Sequence, residues 1–147
     1  CSFTKYLLET TRVISHGPKE RSYHVFYQLL RGRNRFPDLR LGDVHDYRYL
    51  KGGKQTAPSV DDLQNLDDTL EAFELLGFSS TEQSEILRIV AGILTLGNCE
   101  FIAASEGDGS KLASDGPAER AAELLGVCFK DLKQCMLVKR IQVGGSL

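Results

Sequence analysis

At 147 residues and a formal net charge of −2, the chain fits one domain and carries no global electrostatic pull toward nucleic acid or anionic lipid. Its 41% hydrophobic and 26% charged residues are ordinary for a soluble globular protein, and no signal peptide, transit peptide or membrane span is visible. It begins at Cys1 with no initiator Met and passes at once into apolar sequence, as expected of a piece cut from a longer protein.

Taken in order, residues 2–8 read as a strand: Phe3, Tyr6 and Leu8 are bulky, Thr4 favours extended backbone, and the apolar Leu7 suits a strand covered on both faces. Ser15-His16-Gly17-Pro18 breaks the chain. Residues 19–31 are expected to be a helix with Pro18 at its start and Glu20 at the positive end of its dipole. Tyr23, Phe26, Tyr27 and Leu30 form its apolar face, His24 falls on the polar one, and Gly32 stops it.

Arg31, Arg33, Arg35 and Arg40 then crowd one short segment. Asp38 and Asp43 dilute the charge and Phe36-Pro37 interrupts it, so a solvated turn is expected rather than a nucleic-acid patch. Tyr47 and Tyr49 are expected to pin a loop to the body. Ser59, with Asp62 three residues on, reads as a helix cap. The following stripe is Leu63, Leu66, Leu70, Phe73 and Leu76, with Asp61, Asp62, Asp67 and Asp68 as the wet face and acidic first turn and Gly77 as the stop.

Ser79 and Glu82 form a second capping box. The helix it opens runs to Leu96 and is apolar at 86, 87, 89, 90, 91, 93, 94 and 96, which calls for neighbours on most sides. Arg88, Gly92 and Thr95 make a narrow polar or small strip, the place to look for a close neighbouring helix or a small polar contact. Gly97-Asn98 reads as a left-handed stop, residues 99–103 as extended, and residues 104–116 as a surface loop lacking the acid spacing of a calcium site. Pro117 opens a helix that Gly126 ends. A last helix is expected over residues 129–138, and residues 139–147 look extended.

The chemistry-bearing patterns are sparse. There is no G-x-x-x-x-G-K-[ST] loop, no G-x-G-x-x-G and no nucleophile elbow, and His16, His24 and His45 are scattered. Cys1, Cys99, Cys128 and Cys135 form no C-x-x-C pair and have no histidine at ligand spacing, so four reduced thiols of an intracellular protein are expected. No catalytic, cofactor-binding or metal-binding residue is assigned within the chain.

Four ordered blocks carry a resemblance. They are Tyr6-Leu7-Leu8-Glu9 with Arg12-Val13; Glu20-Arg21-Ser22-Tyr23-His24-Val25-Phe26-Tyr27-Gln28-Leu29-Leu30; Leu76-Gly77-Phe78-Ser79 with Glu82; and Ile89-Val90-Ala91-Gly92-Ile93-Leu94 with Leu96-Gly97-Asn98 and Phe101. Together they closely resemble the myosin motor domain, over essentially the whole chain. Thr95 stands where the family often has His, and Thr10-Thr11 where it often has Lys-Ser.

The resemblance implies an α/β fold, predominantly α-helical here, within a P-loop NTPase-type motor domain, with one strand of the central sheet at the N-terminus. Residues 1–13 would end the transducer sheet, residues 14–138 would form the upper-cleft (upper 50 kDa) helical body, and residues 139–147 would start the actin-contacting loop. Lys139, Arg140, Ile141, Gln142, Val143, Gly144 and Gly145 would contact actin, and Tyr6 and Leu7 would line the cleft-apex inhibitor pocket.

It further implies an ATP-driven, actin-based motor of the cytoplasm and cytoskeleton. ATP and Mg2+ would be bound elsewhere in the full-length protein and not by this segment, which would be inactive alone. The segment's partners would be the actin filament and the remainder of the motor, with no nucleic acid and no membrane insertion. Its role would be to transmit sheet movement to the actin-binding cleft. A stand-alone helical interaction module, or a truncated relic without motor activity, is the alternative expectation.

Overall fold

The computed structural model describes residues 9–104 and 109–138. Five helices, a set of short 3-10 turns and one two-stranded sheet make up these residues, so the described body is mostly helical. The expected strand at residues 2–8, with Tyr6 and Leu7, and the arm from Lys139 to Gly145 lie outside the described residues.

Helix α1 spans His24–Arg31, five residues shorter at its start than the periodicity suggests. Tertiary hydrogen bonds override helix propensity there. The Ser22 amide donates to Tyr27 Oη at 3.2 Å, and the Ser22 hydroxyl donates to the Arg12 carbonyl at 3.2 Å. Gly32 ends α1 without a left-handed turn (φ −89°). Its missing side chain matters for a different reason: a Cβ there would lie 2.2 Å from Leu66 Cδ2 of the next helix.

Helix α2 spans Asp62–Leu75. Its cap is Asp61, whose carboxylate accepts from the Leu63 and Gln64 amides at 3.0 and 3.2 Å; the expected cap, Ser59, sits in a left-handed turn at φ 63°. A carboxylate that satisfies two orphan amides displaces the hydroxyl. The expected leucine stripe is only partly buried: Leu66 is enclosed, Leu70 and Phe73 are half-buried, and Leu63 and Leu76 are exposed. Gly77 stops the helix at φ 84°, as its position suggested.

Helix α3, Ser80–Leu96, has the expected capping box: Ser79 accepts from the Glu82 amide, and the Glu82 carboxylate accepts from the Ser79 amide at 2.8 Å. Leu87, Ala91, Gly92, Leu94 and Thr95 are buried against α1 and α4. Coverage is incomplete, however, because Ile89 and Ile93 remain 46% and 37% exposed on one strip.

Gly97 is not left-handed either (φ −59°); its Cβ would meet the Tyr49 ring at 2.5 Å. Close approach explains this glycine. The Asn98 side chain accepts from the Arg48 amide at 2.9 Å and donates to the Asp46 carbonyl at 2.8 Å, tying the tyrosine-bearing turns to the end of α3.

Strand β1, Phe101–Ala103, lies in the stretch expected to be extended; it pairs antiparallel with β2, Ser110–Leu112, which falls inside the segment expected to be all loop. Three residues of alternation are too few to read as a strand. Helix α4 spans Gly116–Leu125 and ends at left-handed Gly126 (φ 68°); α5 spans Phe129–Leu137. One core cluster joins Phe26, Tyr27, Leu30, Tyr47, Leu50 and Leu94. A second joins Leu29, Leu39, Leu87, Ala91 and Leu124, so α3 supplies residues to both.

Candidate functional site

The most concentrated polar chemistry among the described residues is the joint between residues 9–22 and the helical body. Arg21 is its centre, with only 5% of its side chain exposed. Its guanidinium bonds Asp62 at 2.6 Å and the Gln55 carbonyl at 3.2 Å, and lies 3.9 Å over the Tyr27 ring. The Arg21 carbonyl accepts from Arg12 at 3.1 Å, and the Glu20 carbonyl accepts from the Lys54 amide at 2.8 Å.

One arginine thus binds α1, the loop after the tyrosine turns and the first turn of α2 to the segment that leads in from the N-terminus. Its Nε and Nη1, and Asp62 Oδ1, are buried with no hydrogen-bond partner among the described residues. Asp62 therefore sits in the acidic first turn, as expected, but not on a wet face. Nothing in the sequence marked this pair, because its members lie 41 positions apart.

Asp62 also borders an open polar cleft of about 540 Å³, together with Leu30, Arg31, Arg33, Asp43 and His45. The arginine-rich segment beside it is neutralised locally. Arg33 pairs with Asp43 at 3.7 Å, Arg35 with Asp67, and Arg40 with Glu123. The Arg35 guanidinium holds the Asp67 carboxyl below the usual range, and Arg120 followed by Arg40 does the same for Glu123. These arginines fasten α2 and α4 to the connecting turns.

The tightest helix contact is at Gly92. A Cβ there would lie 2.7 Å from Leu125 Cδ2 and 3.4 Å from Leu124 Cβ, so α3 meets α4 where the Arg88, Gly92, Thr95 strip predicted a close neighbour. Thr95 is buried and its hydroxyl donates to the Ala91 carbonyl at 2.8 Å. Tyr47 is buried as expected, and its oxygen accepts from the Gly42 amide at 3.1 Å. Burial pushes the Tyr47 phenol and the Cys99 thiol above their ordinary values, so both stay neutral near pH 7.

A family model, the myosin head (motor domain), matches residues 1–147. The chain belongs to the myosin head family. It is also 35% identical over 143 residues, 95% of its length, to "Myosin heavy chain, non-muscle" of Drosophila melanogaster. It spans 7% of that relative's length.

Within this myosin head segment, the block from Glu20 to Leu30 forms the Arg21 joint and most of α1. The block from Leu76 to Glu82 forms the α2–α3 turn and its cap, and the block from Ile89 to Phe101 runs from the α4 contact into β1. The site residues expected from the resemblance, Tyr6, Leu7 and Lys139 through Gly145, lie outside the described residues. The described residues gather no group of three or more His, Cys, Asp or Glu able to hold a metal ion. No described helix is long and apolar enough to cross a membrane.

Proposed function

We propose that the intact protein is an ATP-driven motor acting on actin filaments, and that this segment passes nucleotide-dependent movement of a central sheet to the actin-binding cleft. The observation that carries the reading is the match of the myosin head model to all 147 residues.

In this reading residues 1–13 end the transducer sheet of a P-loop NTPase-type motor domain. Residues 14–138 are the upper-cleft body and residues 139–147 begin the actin-contacting loop. Lys139, Arg140, Ile141, Gln142, Val143, Gly144 and Gly145 meet actin, and Tyr6 and Leu7 line the cleft-apex pocket. ATP and Mg2+ bind in other parts of the heavy chain, in a protein of the cytoplasmic cytoskeleton. Nucleic acid and membrane insertion have no place in it.

A transmitting body must move as one piece and must be firmly joined to the segment that drives it. The Gly92 contact between α3 and α4 suits the first requirement. The Arg21–Asp62 pair, linking residues 9–22 to α1 and α2, suits the second.

The test is ATP hydrolysis by the intact heavy chain with and without actin filaments. Stimulation by actin is the expected result, and its absence overturns the motor reading. In the same protein, Asp62→Asn is expected to lower the stimulation by actin while leaving basal hydrolysis in place, because it loosens the joint without touching nucleotide.

A further inference from the structure

Among the described residues, the buried side-chain polar atoms without a hydrogen-bond partner are His16 Nδ1 and Nε2, Arg21 Nε and Nη1, and Asp62 Oδ1. All three residues meet one segment, residues 51–60, which joins the tyrosine turns to the cap of α2 without helix or strand. A Cβ at Gly53 would lie 2.3 Å from the His16 ring, so the strap's backbone rests directly on that ring. Arg21 donates to the Gln55 carbonyl at 3.2 Å, and Asp62 opens the helix that follows.

This strap is lightly held. None of residues 51–60 is buried. Its bonds to the body are polar: the Lys54 amide donates to the Glu20 carbonyl at 2.8 Å, the Gln55 carbonyl accepts from Arg21, and the Gln55 side chain meets the His45 ring at 3.0 Å. Its far end is strained, because Ser59 sits at φ 63°, a left-handed conformation that a residue with a Cβ rarely adopts. Segments with few buried apolar contacts open far more readily than a core. Lifting this one also brings water to polar atoms that lack a partner beneath it, and relieves Ser59.

We propose that residues 51–60 are a releasable latch on the Arg21 joint. Closed, the latch holds residues 9–22 against the helical body through His16, Glu20 and Arg21. Open, it hydrates Arg21 and Asp62 and frees that segment to move on its own. The proposal deepens the reading of this joint as a transmitting connection and rests on that reading for its consequence: movement passes when the strap is down and not when it lifts.

The test is amide hydrogen exchange in the intact heavy chain, without nucleotide or actin, resolved to single amides by fragmentation in the mass spectrometer. The Lys54 amide reports the latch, and the Ser22 amide, which donates to Tyr27 Oη, reports the joint. Both are expected to exchange together, at least about tenfold faster than the amide of buried Ala91 in α3. Two substitutions at the exposed Ser59 push in opposite directions. Ser59→Gly removes the strain and should slow both amides a few-fold. Ser59→Pro cannot take a positive φ and should speed both several-fold. Unaltered exchange at Ala91 checks that the rest of the body is folded in each variant.

A Lys54 amide as slow as Ala91, a Ser22 amide indifferent to both substitutions, or shifts in the same direction for both variants overturns the proposal. Actin-stimulated hydrolysis by the same preparation is read separately. A motor whose two amides do not respond together fails this inference alone, and amides that respond together in a protein without stimulation leave the latch standing and sink the motor reading.

Discussion

Asp62 and Gly97 show how single residues hold the body together. Removing the Asp62 carboxylate leaves the Arg21 cation buried beside an aromatic ring with one carbonyl for company. Asp62→Ala is therefore expected to destabilise by about 3 kcal/mol in denaturant unfolding. The paired replacement Arg21→Met/Asp62→Leu should cost much less than Asp62→Ala alone, since no orphan charge remains. Equal losses in the two variants would show that the ion pair is not what holds the joint. Gly97→Ala meets the rigid Tyr49 ring and is expected to cost roughly 1–3 kcal/mol by the same measurement, despite the better helix propensity of alanine. Gly97 was legible as a stop, but its closeness to an aromatic ring was not, because that contact spans about a third of the chain.

Among the elements, α3 was the most legible. Its cap, its length and its close contact at Gly92 all follow from local spacing. What spacing could not show is the uncovered strip at Ile89 and Ile93, because an all-round apolar pattern records that neighbours are needed and not which of them are present. The starts of α1 and α2 were misplaced for a single reason: Ser22, Arg21 and Asp61 spend their polar groups on tertiary or capping bonds that a propensity cannot foresee.

The α3 cap also carries a pH signature. Hydrogen bonds from Ser79, side chain first and backbone second, hold the Glu82 carboxyl below the usual range. A lowered folded-state value stabilises the helix above the ordinary carboxylate range and loses that contribution as pH falls through the lowered value. Glu82→Gln should therefore flatten the acid limb of a melting-temperature profile. Ser79→Ala should lower stability by about 1 kcal/mol near neutral pH. An unchanged acid limb in Glu82→Gln would mean that the capping carboxylate contributes nothing to pH dependence.

For the whole molecule, membership of the myosin head family was legible from four ordered blocks, and the match covers residues 1–147. The predominantly helical class was legible too, and so was extended structure at residues 99–103, whereas the partner strand β2 was hidden in a Gly- and Ser-rich stretch. Family membership sets an expectation for the segment by itself. It lacks the phosphate-binding loop pattern, so the isolated chain should give no heat with micromolar ATP in titration calorimetry, while the intact heavy chain should. Saturable heat from the isolated chain would contradict that division of labour.

The burial of Cys99 gives this body a built-in clock. Cys99 is packed with Leu112 and Ala118 where the hairpin meets α4, while Cys128 and Cys135 are open to solvent. A thiol reagent should modify the two exposed cysteines at once and Cys99 only when the cluster around it opens. With Cys1, Cys128 and Cys135 replaced by serine, the labelling rate of Cys99 reports the free energy of that local opening. Following the rate in the intact protein, with and without nucleotide, would measure whether the hairpin end of the body stays closed while the rest of the molecule works.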